Sequence, residues 1–121
     1  MKKYGAVLFC MLLFVVQDAG AQKRPTAIEL EKGKTLAKKC IDCHNSSTTA
    51  LADPLKGIRK IRTANYIYNL MKNPMGFADE NKTAKKVFAK RGLQMPPFPN
   101  LSKDDIKAIL DYFDSIPNKK N

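Results

Sequence analysis

The chain has 121 residues, a formal net charge of +11, three cysteines, one histidine and no tryptophan. That length accommodates one small domain. The apolar share of 44% argues against a disordered chain, and the lone histidine excludes any site built from two imidazoles of one chain. A domain of this size buries only about two-thirds of its unfolded surface, so a covalent or cofactor staple would help it.

Residues 1–21 read as a cleavable signal peptide. Lys2 and Lys3 form a positive start, residues 6–16 an uncharged apolar run, and Ala19-Gly20-Ala21 a small-residue cleavage site. The run is short for about 30 Å of hydrocarbon, which disfavours a spanning helix; an uncleaved N-terminal anchor is the alternative. Cys10 follows bulky Phe9 inside the run, which does not suit lipid modification. The mature chain then covers residues 22–121 as a single domain. Cys10 leaves with the leader, and removal of Lys2, Lys3 and Asp18 lowers the net charge from +11 to +10.

The first helix of the mature chain opens at Pro25, with Thr26 and Glu29 at capping-box spacing, and runs to about Lys39, delivering Cys40. Residues 44–59 are rich in Asn, Ser, Thr, Pro and Gly and read as a loop. A second helix is predicted over 63–72, with Ile67, Leu70 and Met71 apolar, stopped by Asn73-Pro74. Asp79 is placed as the cap of a third helix that ends near Arg91 at Gly92, with Ala84, Val87 and Phe88 inward. Met95-Pro96-Pro97-Phe98-Pro99 forbids a helix and forms a stiff strap. Ser102 and Asp105 repeat the capping-box spacing, and the last helix runs to about Ser115 with Ile106, Ile109, Leu110 and Phe113 on one face. No window alternates at period two long enough for a strand. The fold class is all-α, about four helices with long loops.

Cys40-Ile41-Asp42-Cys43-His44 is a C-x-x-C-H sequence, the signature of covalent c-type haem attachment. The two thiols add across the porphyrin vinyl groups, and the adjacent histidine is held beneath the iron as its proximal ligand. The competing readings are weaker. A Cys40–Cys43 disulfide would staple little. A thioredoxin-type pair needs a neighbouring strand. Zinc needs a fourth ligand that Cys40, Cys43 and His44 do not supply. With no second histidine, the sixth ligand falls to methionine. Met95, at the head of the strap, is the first choice and Met75, after Asn73-Pro74, the second; Met71 reads as core. An open sixth position is the remaining possibility.

These motifs together resemble a small class I monohaem cytochrome c over nearly all of the mature chain. Gly33-Lys34-x-Leu36 before the haem motif is similar to that family's N-terminal helix. The segment 95–102 is similar to its distal strap leading into the C-terminal helix. The resemblance implies the cytochrome c fold, wrapped around one covalent haem c. It implies Gly33 packed against Phe113 or Tyr112 where the terminal helices cross. It also implies that the loop Pro54-Leu55-x-Gly57 offers the Pro54 carbonyl to the Nδ1 proton of His44. Asp53 stands where the family often has glycine.

A six-coordinate His/Met haem has one-electron transfer as its chemistry, so the expected role is an exported, periplasmic electron carrier rather than an enzyme. The alternatives are an electron-transfer subunit of a larger dehydrogenase or oxidase complex and a haem protein with an open sixth site, in which Arg59, Arg62 or Arg91 would assist. A haem-free thiol redox or metal-binding protein is a further alternative. Candidates for the apolar haem wrapping are Ile58, Ile61, Ile67, Leu70, Val87, Phe88, Leu93, Phe98, Ile106 and Leu110. The basic charge predicts redox partners with acidic docking faces, through Lys38, Lys39, Lys56, Lys60, Lys90 and Arg91, or loose contact with an anionic membrane surface. Export argues against nucleic acid, the usual partner of such a charge.

Overall fold

The computed structural model describes residues 23–45, 52–92 and 95–117, and the predicted leader 1–21 lies outside them. The described residues form five α-helices and one 3-10 turn, with no strand. Helix α1 is Ala27–Ile41, the 3-10 turn is Ile58–Lys60, α2 is Ala64–Lys72, α3 is Pro74–Glu80, α4 is Lys82–Arg91 and α5 is Lys103–Ser115.

The two terminal helices begin as their sequences dictate. Thr26 Oγ1 accepts from the Glu29 N–H at 3.2 Å, and the Glu29 carboxylate accepts from the Thr26 N–H at 2.7 Å. Ser102 and Asp105 do the same at 3.1 Å and 2.9 Å. Such reciprocal caps satisfy donors that the first turn of a helix leaves free. The second cap also reaches across the fold, because Lys32 of α1 lies 2.7 Å from the other Asp105 oxygen.

α1 and α5 cross at Gly33. A Cβ there would fall 2.0 Å from the Ala108 carbonyl oxygen and 3.0 Å from Tyr112 Cβ, so the crossing is possible only without a side chain. Of the two expected partners, Tyr112 is the one at the glycine. Phe113 turns instead into the core, beside Ala37, Cys40, Ile67, Met71, Ile106, Ile109 and Leu110. Each large apolar side chain buried there contributes roughly 1.5–3 kcal/mol.

The middle of the chain departs from expectation in one respect. An additional helix, α3, occupies Pro74–Glu80 where a loop was expected, so Asp79 lies inside it and the helix expected from Asp79 to Arg91 begins at Lys82 instead. Two asparagines set these boundaries. Asn73 closes α2, with its N–H bonded to the Asn69 carbonyl, and caps α3 by accepting from the Gly76 N–H at 3.1 Å. Pro74 follows at the first helical position, where its fixed φ and missing N–H are no handicap. Asn73-Pro74 therefore stops one helix and starts the next at once. Asn81 then accepts from the Thr83 and Ala84 N–H groups, both at 3.1 Å, to begin α4. Gly92, with φ 66°, ends α4 as expected.

Candidate functional site

The site is built at the C-terminal end of α1. Cys40 sits in the last helical turn, 6% exposed within the core. The chain then wraps around its carbonyl, which accepts from Cys43 N–H at 3.2 Å and from His44 N–H at 2.8 Å. This tight turn groups both cysteines with the histidine. Cys40 and Cys43 are not joined in a disulfide.

The turn also fixes its neighbour. The Ala52 N–H donates to the Cys43 carbonyl at 3.0 Å, laying residue 52 beside 43 and residue 53 beside 44. The Asp53 carbonyl thereby stands 2.7 Å from His44 Nδ1. A carbonyl only accepts, so Nδ1 carries the proton and Nε2 keeps its lone pair for a metal. The resemblance assigned this carbonyl to Pro54; in the structure it belongs to Asp53, one residue earlier. The register is set by the Ala52–Cys43 backbone bond and not by the position of the proline.

Burial tunes these groups. It pushes the His44 imidazole below its ordinary pKa, which favours the neutral ring that a metal requires. It pushes the Cys40 thiol up, with Cys43 adding in the same direction. Reactive redox cysteines have lowered values, so this environment does not suit thiol–disulfide exchange. Among the described residues no cluster of three or more His, Cys, Asp or Glu has the geometry of a metal site.

A cavity of about 470 Å³ opens beside Cys40, between α1 and the proline strap, with Leu36, Phe98 and Leu101 among its walls and Lys38 and Lys39 on its rim. The strap docks on α2 through the Phe98 N–H, which donates to the Met71 carbonyl at 2.7 Å. Met95, half-buried, packs against the same core cluster that contains Cys40. Met75 is on α3 rather than in a loop and is 45% exposed. Met71 is core, 6% exposed. Of the expected wrapping residues, Ile67, Ile106 and Leu110 are buried, Ile58 packs against the core, and Ile61 stands 66% exposed; Leu93 lies outside the described residues.

Several basic residues are engaged within the chain. Arg91 pairs with the Asp53 carboxylate, and Lys56 donates to the Ile116 carbonyl. Arg62 lies 5.2 Å over the Tyr66 ring. Arg59 Nη1 is 2.7 Å from Asp111 Oδ1, while its Nε and Nη2 meet Asp114 Oδ2 at 3.1 Å and 2.5 Å. Burial disfavours the Arg59 charge, but the bonds to Asp114 and Asp111 outweigh it and raise its pKa. Neither Asp53 nor this grip has a local signal in the sequence, since Arg59 and its partners are more than fifty positions apart.

Two thiols at one helix end, an imidazole with Nε2 free, a half-buried thioether and an apolar cleft fit a covalently bound haem. The arrangement defines a helical protein of the c-type haem class. A family model for cytochrome c matches residues 30–117. The fold is similar to that of a cytochrome c from Rhodothermus marinus, with a TM-score of 0.61 and 28% identity, over 72% of this chain and 75% of that one. A search of the curated proteins found no match. The chain belongs to the cytochrome c family, whose members carry covalent haem c and transfer electrons. Among the described residues no helix is long and apolar enough to cross a membrane.

Proposed function

We propose that this chain is an exported, periplasmic electron carrier. In this reading it binds one haem c through Cys40 and Cys43, with His44 and Met95 as axial ligands. Bound there, the haem supplies one-electron chemistry between Fe(II) and Fe(III). The observation that carries the reading is the His44 Nδ1–Asp53 carbonyl bond at 2.7 Å, because it orients the ring, fixes its tautomer and leaves Nε2 to the iron. Met95 is favoured over Met75 by its packing against the core cluster.

The chain's own residues divide the remaining work. Leu36, Phe98 and Leu101 would present apolar walls to the bound haem. Lys38 and Lys39, exposed on its rim, offer positive charge to an acidic docking face on a redox partner. Contact with an anionic membrane surface would use the same charge. Arg91 and Lys56 contribute less to docking than the sequence implies, because each already has a partner within the chain.

The purified protein tests this directly. The reduced form should give a c-type visible spectrum, the haem should stay with the polypeptide after denaturation, and carbon monoxide should not bind. Haem lost on denaturation, or rapid carbon monoxide binding, would overturn the attachment or the six-coordinate site respectively. Association with an acidic partner should weaken with salt; indifference to salt would end the docking idea. N-terminal sequencing of the exported protein should begin at Gln22.

A further inference from the structure

The loop that holds His44 is itself held, and by a part of the chain remote in sequence. Its first end is the Ala52–Cys43 backbone bond. Its second end is Gly57, whose N–H donates to Asp114 Oδ1 at 2.7 Å. Two residues on, Arg59 spreads its guanidinium over the other Asp114 oxygen and over Asp111, whose second oxygen is taken by Lys107 at 2.6 Å. Asp111 is only 6% exposed, and the Arg59 and Asp114 side chains are 33% and 34% exposed. Forked, charge-assisted bonds to partly buried carboxylates hold geometry better than exposed pairs do. Asp111 and Asp114 stand on α5, and α5 crosses at Gly33 the same helix that carries Cys40. The path from Cys40 through His44, Asp53, Gly57 and Arg59 to α5 and back to α1 is a closed circuit.

We propose that Arg59, with Asp114, is a positioning residue for the proximal ligand: it fixes the 52–59 loop so that the Asp53 carbonyl keeps the Nδ1 proton of His44. This rests on His44 being the proximal ligand. A carbonyl acceptor on Nδ1 makes the ring a stronger donor to iron, which favours Fe(III) and lowers the reduction potential. Loosening the loop weakens that bond and raises the potential.

Arg59→Gln and Asp114→Ala separate this role from a mere electrostatic one. They remove charges of opposite sign near the haem. A pure field effect lowers the potential in Arg59→Gln and raises it in Asp114→Ala. A positioning effect raises it in both. In the reduced protein both variants should also exchange the His44 Nδ1 proton with solvent several-fold faster than wild type, as followed by NMR. Lys32→Gln, which removes an ion pair between α1 and α5 that touches neither Arg59 nor the 52–59 loop, should leave that exchange unchanged and serves as the control for general loss of stability. Potential shifts of opposite sign, or an Nδ1 exchange rate that follows Lys32→Gln, overturn the proposal. The two side chains lie at the edge of the core, so both variants should fold; if Arg59→Gln does not, Asp114→Ala alone decides through the exchange rate. In wild type, haem-shifted ring protons identify His44 as the ligand, so failure of the ligation reading shows there before any variant is made.

Discussion

The two sides of the site are held by different means. On the histidine side, backbone bonds from Cys43, His44 and Ala52 converge within a few residues, and ion pairs to α5 lock the far end of the loop. On the methionine side, the 95–101 strap meets the rest of the described chain through one backbone bond, Phe98 to Met71, and otherwise relies on three prolines and side-chain packing. Directional bonds fix orientation; prolines limit the conformations available before anything is bound. As iron ligands the two would ask for different things: the histidine ring would need orientation, because its tautomer depends on its Nδ1 partner, and the thioether would need only to be kept near, since sulfur has no proton to place.

The largest effect is expected at the frame beneath the histidine side. Gly33→Val drives a side chain into the Ala108 backbone, and overpacking of this kind costs about 1–3 kcal/mol or more. Thermal unfolding should show a fall of several degrees at least; an unchanged midpoint would mean that the crossing can open. Next comes the methionine side. Met95→Ala should leave haem attachment intact, admit carbon monoxide and lower the potential, while Met75→Ala changes none of these. The reverse pattern would move the ligand to α3.

Acid should loosen the frame where α5 begins. The Lys32 ammonium and the Ser102 cap hold Asp105 down to about 2, below the ordinary 3.8. A depressed carboxylate contributes stability that is complete above its unfolded value and is lost as pH falls from there toward the folded one. The contribution therefore fades between about pH 4 and pH 2, and Asp105→Asn should flatten that part of the stability profile. The smallest effect belongs to the exposed Arg91–Asp53 pair. Arg91→Gln should cost no more than about 1 kcal/mol and leave the visible spectrum unchanged, because Asp53 serves His44 through its backbone rather than its carboxylate.

The features legible in the sequence were those with local causes. Thr26 with Glu29, Ser102 with Asp105 and Gly92 all act within a turn or so of themselves. The C-x-x-C-H spacing was legible for the same reason. Asn73-Pro74 reads as a stop only, because a side chain that closes one helix and caps another looks, in sequence, like a break. The family resemblance points to the Pro54 carbonyl, whereas a backbone bond between residues 43 and 52 brings that of Asp53 to His44. Arg59 looked like any surface arginine, since nothing near it announces Asp111 and Asp114.

The α1–α5 crossing has a consequence for how the chain tolerates change. Because helices near the two ends of the domain clasp each other directly, the sixty or so residues between Ile41 and Lys103 behave as one closed loop. Closure entropy grows only logarithmically with length, about 0.6 kcal/mol for each doubling. A few residues inserted at the α3–α4 junction before Asn81 should therefore cost little, whereas one residue inserted between Ala52 and Asp53 would shift the carbonyl off the imidazole. Length is free to drift on one side of the molecule and is counted residue by residue on the other.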